Sequence, residues 1–505
     1  MRFLLTGVLL ASAGWGAALG AATTQIADIA MKGDMDALGS LVKQHPNDVN
    51  AAQPDGSTAL LWAAYWNDEK MVETLLAAGA NVNASNREGF TALSQACTNG
   101  NAVMVEALLK AGADANSFQA EGQSALMTAA RAGNAESVKA LLDHGAEVNT
   151  KESWRGQTAL MWATAENHPD VVKLLVEHGA DVNAVSSVFD FSGMKPKPGD
   201  VPMHFPRGGF TALLFAARGG FTDSAKILLD HGADIKAADP DGTSALVLAI
   251  INGHFDTAAF LLDRKADPNA ADSNGRAALF AAIDMRDIYS SNRPAPRDNG
   301  KTEPMDLIKM LLDHGADANA KLTKMIVPRA VLDFPDVMMG EGATPFLRAA
   351  KSADVPLMQL LLDKGADPKA ITKAGVTALM VAAGMGHANT IRRDEHPIEA
   401  MKICLDKGVD VNAATDKTLN TALHAAAGQG TDDIVQFLAD HGAKLDLKDN
   451  KGRTPRDVAL GLQADAVGVE VHQSTADLLG KLMGPAAATT ADAGTTTTAK
   501  SATAR

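Results

Sequence analysis

Apolar residues in this chain come in paired short runs. In "GFTALSQACTNGNAVMVEALLKAGADANSFQAE", Gly89 to Glu121, the residues Leu93, Ala96 and Cys97 recur at i, i+3 and i+4, one face of a helix that ends near Gly100. Val105, Leu108 and Leu109 repeat the spacing, so a second helix follows, and Gly112 stops it. Thr91 stands where a side-chain oxygen can accept from an orphan amide of the first turn. The residue just past a helix end often has a positive φ, which glycine reaches without the penalty of a Cβ.

The pattern returns in register. A capping Thr or Ser precedes "AL" or a close variant at Thr24 (weakly), Thr58, Thr91, Ser124, Thr158, Thr211, Ser244, Ala277 (degenerate), Thr344, Thr377, Thr421 and Thr454. Most successive capping positions lie 33 or 34 apart, and three longer intervals mark insertions at 186–208, at 288–303 with 321–341, and at 388–396. Glycine holds the helix stop at Gly79, Gly112, Gly145, Gly179, Gly232, Gly315, Gly365, Gly408 and Gly442. Lys265 replaces it once, at a cost of about 1 kcal/mol if the backbone is unchanged there. The preceding residue is His144, His178, His231, His314 or His441, but elsewhere Ala78, Ala111, Arg264, Lys364 or Lys407. No ligand position tolerates that mixture, whereas a basic group in the last turn suits the helix dipole. The recurring "HGAD" is therefore read as helix punctuation, and no metal site is expected.

The shared pattern "GxTALxxAAxxGxxxxVxxLLxxGADxNA" resembles the ankyrin repeat, from about Thr24 to Met483. The resemblance implies an all-α solenoid of about 12 helix-turn-helix units with short hairpin fingers, and partners that dock on a concave face made by finger tips and first helices. The sequence departs from the family's "TPLH": the proline occurs only at Pro345 and Pro455 and the histidine only at His424, so apolar packing is expected to replace most hydroxyl-to-imidazole links between units.

An array of this kind needs modified end units. Residues 23–55 fit an N-terminal cap, 56–451 the repeats, and 452–483 a C-terminal cap; 484–505, rich in Ala and Thr, lacks large apolar residues and is expected to be disordered. Residues 1–22 carry the marks of an export signal, with Arg2, an apolar stretch and small residues at "ALGAA". The expected location is therefore periplasmic or secreted, with no membrane span kept after cleavage. Only Cys97 and Cys404 are present, many units apart in register, and are expected to be free packed thiols.

Sixty acidic residues against 46 basic give a net charge of −14, which argues against a nucleic-acid partner. "APRDNGKT", Ala295 to Thr302, satisfies a relaxed phosphate-loop pattern, but prolines rather than a strand precede it. No nucleophile elbow or zinc-protease helix occurs. The Asp and Asn of "GADVNA" are read as turn caps. No cofactor and no catalytic residue is expected.

Carried over by register, the family's docking positions hold Phe90, Phe210 and Arg276 just before capping positions, and Tyr65, Trp66, Arg131, Glu166, Arg218, Asn252, Met285 and Lys351 seven or eight residues beyond them. Trp154 and Arg155 sit at a finger. Exposed Trp, Tyr and Arg are the types that dominate interface energy. Trp62 and Trp162 fall on positions read as core. The insertion 186–208 carries Phe189, Phe191, Met203, His204, Phe205 and Arg207, too apolar for a linker. Either it folds over the docking face with 321–341, or both seal imperfect unit junctions. The expectation is a monomeric, non-enzymatic binding module for a partner protein. The alternative is a small-ligand or catalytic pocket under the insertions, using His204, Arg207, Arg286, Arg293 or Arg329.

Overall fold

The computed structural model describes residues 25–189, 207–287, 300–326, 338–386, 396–462 and 470–484. Within these the chain forms 24 α-helices in twelve consecutive pairs. The leader, the tail, Phe191, Met203, His204, Phe205, Arg293 and Arg329 lie outside the described residues.

Each pair begins where the pattern predicts. Thr91 Oγ1 accepts from the amide of Ser94 before the helix Ala92–Asn99, and Ser124, Thr158, Thr344 and Thr421 cap their helices in the same way. First helices are short and rich in alanine, so their backbones approach closely. Ala92, Leu93, Ala96 and Cys97 are all buried. The second helix, such as Ala102–Lys110, buries Met104, Val105, Leu108 and Leu109. Gly112 then takes φ 91°, and Lys265 at the same place is forced to φ 69°, the strained position expected of it.

The described residues divide between two compact bodies, one drawn from Met1–Ser187 with Lys226–Ala233 and the other from Val188–Ala225 with Asp234–Arg505. In the first body the first helices Gln25–Lys32, Ala59–Tyr65, Ala92–Asn99, Ala125–Ala132 and Ala159–Ala165 pack successively. In the second the series runs from Ala212–Gly219 through Ala245–Ile251, Ala278–Asp287, Pro345–Lys351 and Ala378–Ala382 to Ala422–Gln429 and Pro455–Ala459.

Polar bridges join neighbouring units. Asp114 Oδ1 caps its own turn by accepting from the amide of Asn116, as read from the sequence. The asparagine, read as a turn cap, instead bridges to the next unit: Asn83 Nδ2 donates to the Gly112 carbonyl at 3.0 Å, and its Oδ1 accepts from the Asp114 amide at 2.8 Å. Asn116, Asn149, Asn269 and Asn319 repeat both bonds. Lys236 and Lys369 occupy this place in two units and carry no amide to make the pair.

The hydroxyl-to-imidazole link is confined to one first helix, where His424 Nδ1 lies 2.9 Å from Thr421 Oγ1 and its Nε2 3.1 Å from the Arg453 carbonyl. Apolar packing is not its sole replacement. His168, at the start of a second helix, places Nε2 3.1 Å from the Arg131 carbonyl of the preceding unit, with its ring against Gly133. His254 lies on Gly220 in the same manner, and burial pushes its pKa below the ordinary value.

Candidate functional site

The fourth, seventh and eighth residues after each capping Thr or Ser form one face of the first helices, termed the first-helix face. In the first body it is open and aromatic at one end. Tyr65 and Trp66 are 52% and 50% exposed, and the Tyr65 ring stands edge-to-face to both Trp66 (5.1 Å between centroids) and Trp62 (5.5 Å). Trp62 Nε1 donates to Gln53 Oε1 at 2.8 Å and Trp66 Nε1 to the Met31 carbonyl at 3.1 Å, so both indoles are held in place.

Further along the same body, Arg131 lies over the Trp162 ring at 4.8 Å, with Glu166 3.8 Å from its Nε. Trp62 and Trp162 are thus half-buried members of this face, correcting their reading as core. The fourth position is lined by Gln95 and Thr128 in the units between, also half-buried, and that polar usage was the missed signal. Phe90 is half-buried beside the face.

At the finger before Thr158, Trp154 is 57% exposed and Arg155 stacks over it at 4.1 Å. The loop is fixed from beneath. Glu152 is buried, and its carboxylate accepts from the amides of Trp154, Arg155 and Gln157 at 2.6 to 2.9 Å. In other fingers a shorter side chain suffices: Asn86 Oδ1 accepts from Glu88 and Phe90, and Asp239 Oδ1 from Asp241 and Thr243. The Trp154 finger is one residue longer, and glutamate supplies the extra reach.

In the second body, Arg218 lies over Phe210 and Phe215 at 5.2 and 5.0 Å, with the two rings 5.3 Å apart. Phe210 is half-buried and Phe215 buried. Val188 and Phe189 pair antiparallel with Gly208 and Arg207, a two-residue stem at the root of the first insertion. Phe189 is 38% exposed there.

Further along this body two of the register positions, Arg276 and Lys351, are buried, whereas Asn252 is exposed. Arg276 is no docking residue: it is buried in its finger, with Nη2 2.9 Å from Asp272 Oδ2. Lys351 is buried as well, and Met338, near the end of the 321–341 insertion, packs against Gly386. Register places a residue on a face but does not tell whether its side chain is buried there. Arg286, a candidate for a ligand pocket, is 2.6 Å from the buried carboxylate of Asp354, and Arg348 is 2.9 Å from Asp284 and 2.6 Å from Ser352 Oγ. These cations are satisfied by their own neighbours. Asn252 donates to the Leu248 carbonyl and Met285 is half-buried.

The remaining chemistry has a structural role where it can be followed. The amides of Lys301 and Thr302 in the phosphate-loop-like segment surround the carboxylate of Asp256 at 2.8 to 3.0 Å, so the anion held there is the protein's own. The Thr302 side-chain hydrogen bond leads the effects that lower the Asp256 pKa. Cys97 and Cys404 are free and buried, and burial pushes each thiol up to about 12, far from thiolate. Among the described residues no cluster of His, Cys, Asp and Glu could hold a metal ion, and no helix is long and apolar enough to cross a membrane.

Comparison with known proteins agrees with this architecture. The family model "Ankyrin repeats (3 copies)" matches residues 26–119, 104–186, 199–272, 300–393 and 391–468, and "Ankyrin repeats (many copies)" matches 160–229. The chain belongs to the ankyrin-repeat family. It is 29% identical over 192 residues to the human "Ankyrin repeat and SOCS box protein 16", covering 34% of this chain and 42% of that one. It is 38% identical over 100 residues to the Drosophila melanogaster "Ankyrin repeat and KH domain-containing protein mask", covering 20% and 2%. It is 31% identical over 141 residues to the Rattus norvegicus "Cyclin-dependent kinase 4 inhibitor B", covering 28% of this chain and all of that one. The chain thus spans less than half of the first two, and the likeness is that of the repeat itself.

Proposed function

We propose that this protein is a non-enzymatic docking module, exported to the periplasm or beyond, that holds a partner protein on the first-helix face and the adjoining finger of its first body. The residues assigned to docking are Tyr65, Trp66, Phe90, Arg131, Trp154 and Arg155; Phe210 and Arg218 form a smaller contact on the second body. The observation that carries the reading is the half-exposed state of Tyr65, Trp66 and Trp154 in positions already fixed by hydrogen bonds and ring packing. Large rigid aromatics give up little conformational freedom on binding and concentrate its energy.

Ankyrin repeats are protein-interaction modules, and one relative is by its name an inhibitor of a cyclin-dependent kinase. The export reading rests on the leader at residues 1–22. The test is capture of partners from envelope extract by the mature protein and by two variants, Tyr65→Ala/Trp66→Ala/Trp154→Ala and Phe210→Ala. Loss of one partner with the triple variant supports the assignment. Equal recovery of every protein by all three forms overturns it.

A further inference from the structure

Aromatic rings on this protein are repeatedly covered by its own guanidinium groups: Arg131 on Trp162, Arg155 on Trp154, Arg218 on Phe210 and Phe215, and Arg264 on Phe260. The cluster of Trp62, Tyr65 and Trp66 is different. Among the described residues no Lys or Arg lies over any of its three rings, although Tyr65 and Trp66 are each about half exposed.

The chain on either side of it has an acid excess. From Gln25 to Lys70 it carries seven Asp and Glu residues against Lys32, Lys43 and Lys70. One of the seven is tied to the cluster: Gln53 accepts from Trp62 Nε1 and donates through Nε2 to Asp28 Oδ1 at 2.8 Å. The rings of Trp62 and Trp66 stand at 81° and 79° to that of Tyr65, so π-faces and ring edges converge on the central tyrosine. Electron-rich faces in an acidic setting attract a cation, and the attraction is strongest for one that is weakly hydrated.

We propose that Trp62, Tyr65 and Trp66 form a cation-binding subsite whose occupant is a basic side chain on the partner protein. The assignment rests on the docking reading above and adds to it the chemistry of one contact. It makes the partner's anchoring segment basic, in keeping with the acid excess at this end of the chain.

The test needs no partner. The full chain is labelled with 15N, its indole resonances are assigned from Trp62→Phe and Trp66→Phe, and it is titrated with tetramethylammonium chloride, with tert-butanol as the neutral isostere, and with sodium chloride. A second pair of probes is an octapeptide of alternating Lys and Gly and the same peptide fully Nε-acetylated. The expected result is saturable shifts at Trp62 and Trp66 with tetramethylammonium and the lysine peptide only, weakened about 2- to 30-fold by Tyr65→Leu and kept by Tyr65→Phe. Equal shifts with tert-butanol or the acetylated peptide, no shifts at all, or shifts as large at Trp154 and Trp162 overturn the proposal. A docking surface located elsewhere shows separately, as partner recovery unaffected by Trp66→Ala.

Discussion

The imidazole of His168 rests directly on Gly133 of the preceding unit: a Cβ built on that glycine would fall 2.4 Å from the ring. The glycine also has φ 74°, so two requirements meet at one position. Gly133→Ala is expected to cost about 2 kcal/mol or more, from left-handed strain plus displacement of the ring. Gly145→Ala, with similar φ and nothing within 4 Å, should cost only about 1 kcal/mol. Hydrogen exchange in the helices Ala125–Ala132 and Ala159–Ala165 reads the difference, since a repeat array opens locally. Equal protection in the two variants would show that the imidazole contact carries no energy.

Glu152 gives a second prediction. Removing a buried carboxylate that accepts three amides leaves donors unpaired, at about 1–3 kcal/mol each where water cannot replace it. Glu152→Ala should therefore speed exchange of the amides of Trp154, Arg155 and Gln157 by at least about tenfold and reduce partner recovery. Trp154→Ala should reduce recovery with those amides still protected. Unchanged exchange in Glu152→Ala would remove the anchor from the account.

The asparagine bridges predict a pair of opposite effects. Asn116→Ala deletes two bonds across one unit boundary and should destabilise by about 1–2 kcal/mol. Lys236→Asn places an amide where the bridge is missing and should stabilise by about 0.5–1 kcal/mol. Thermal melting followed by circular dichroism shows both, as shifts of opposite sign. A shift of the same sign in both would leave the bridge without energetic weight.

Asp256 supplies a pH dependence. Its folded-state pKa lies below the ordinary value near 4, the Thr302 hydrogen bond leading and the amides of Lys301 and Thr302 adding to it. The stabilisation is fully present above about pH 4 and is lost as pH falls through the folded value. Exchange at Lys301 and Thr302, compared with helix-core amides, should rise below about pH 4 in the native protein. Asp256→Asn should show faster exchange already at pH 7 and no such pH step; a step of equal size in that variant would assign the effect to another group.

Much of this fold is legible in the residues alone. The 33-residue period, the Thr and Ser caps, the stop glycines and the strained Lys265 are local, and each is set by backbone geometry that its own residue satisfies. The site is legible only where nothing covers it. Tyr65, Trp66 and Trp154 are exposed, whereas Arg276 and Lys351, also placed on the docking surface by register, are buried. Trp62 and Trp162 mislead because a large aromatic invites a core reading; the polar Gln95 and Thr128 at the same register are the better guide. Contacts such as Asp256 with Lys301 join residues 45 apart through an insertion, and no periodicity encodes them.

The central claim, that a partner is held on the first-helix face and finger of the first body, is tested most directly by site-specific photocrosslinking. A photoreactive residue is placed in turn at Tyr65, at Trp154 and at Val103, which is 65% exposed on a second helix. The account predicts crosslinks to one and the same protein from positions 65 and 154 and none from 103. Crosslinking from 103 alone, or equally from all three, would contradict it.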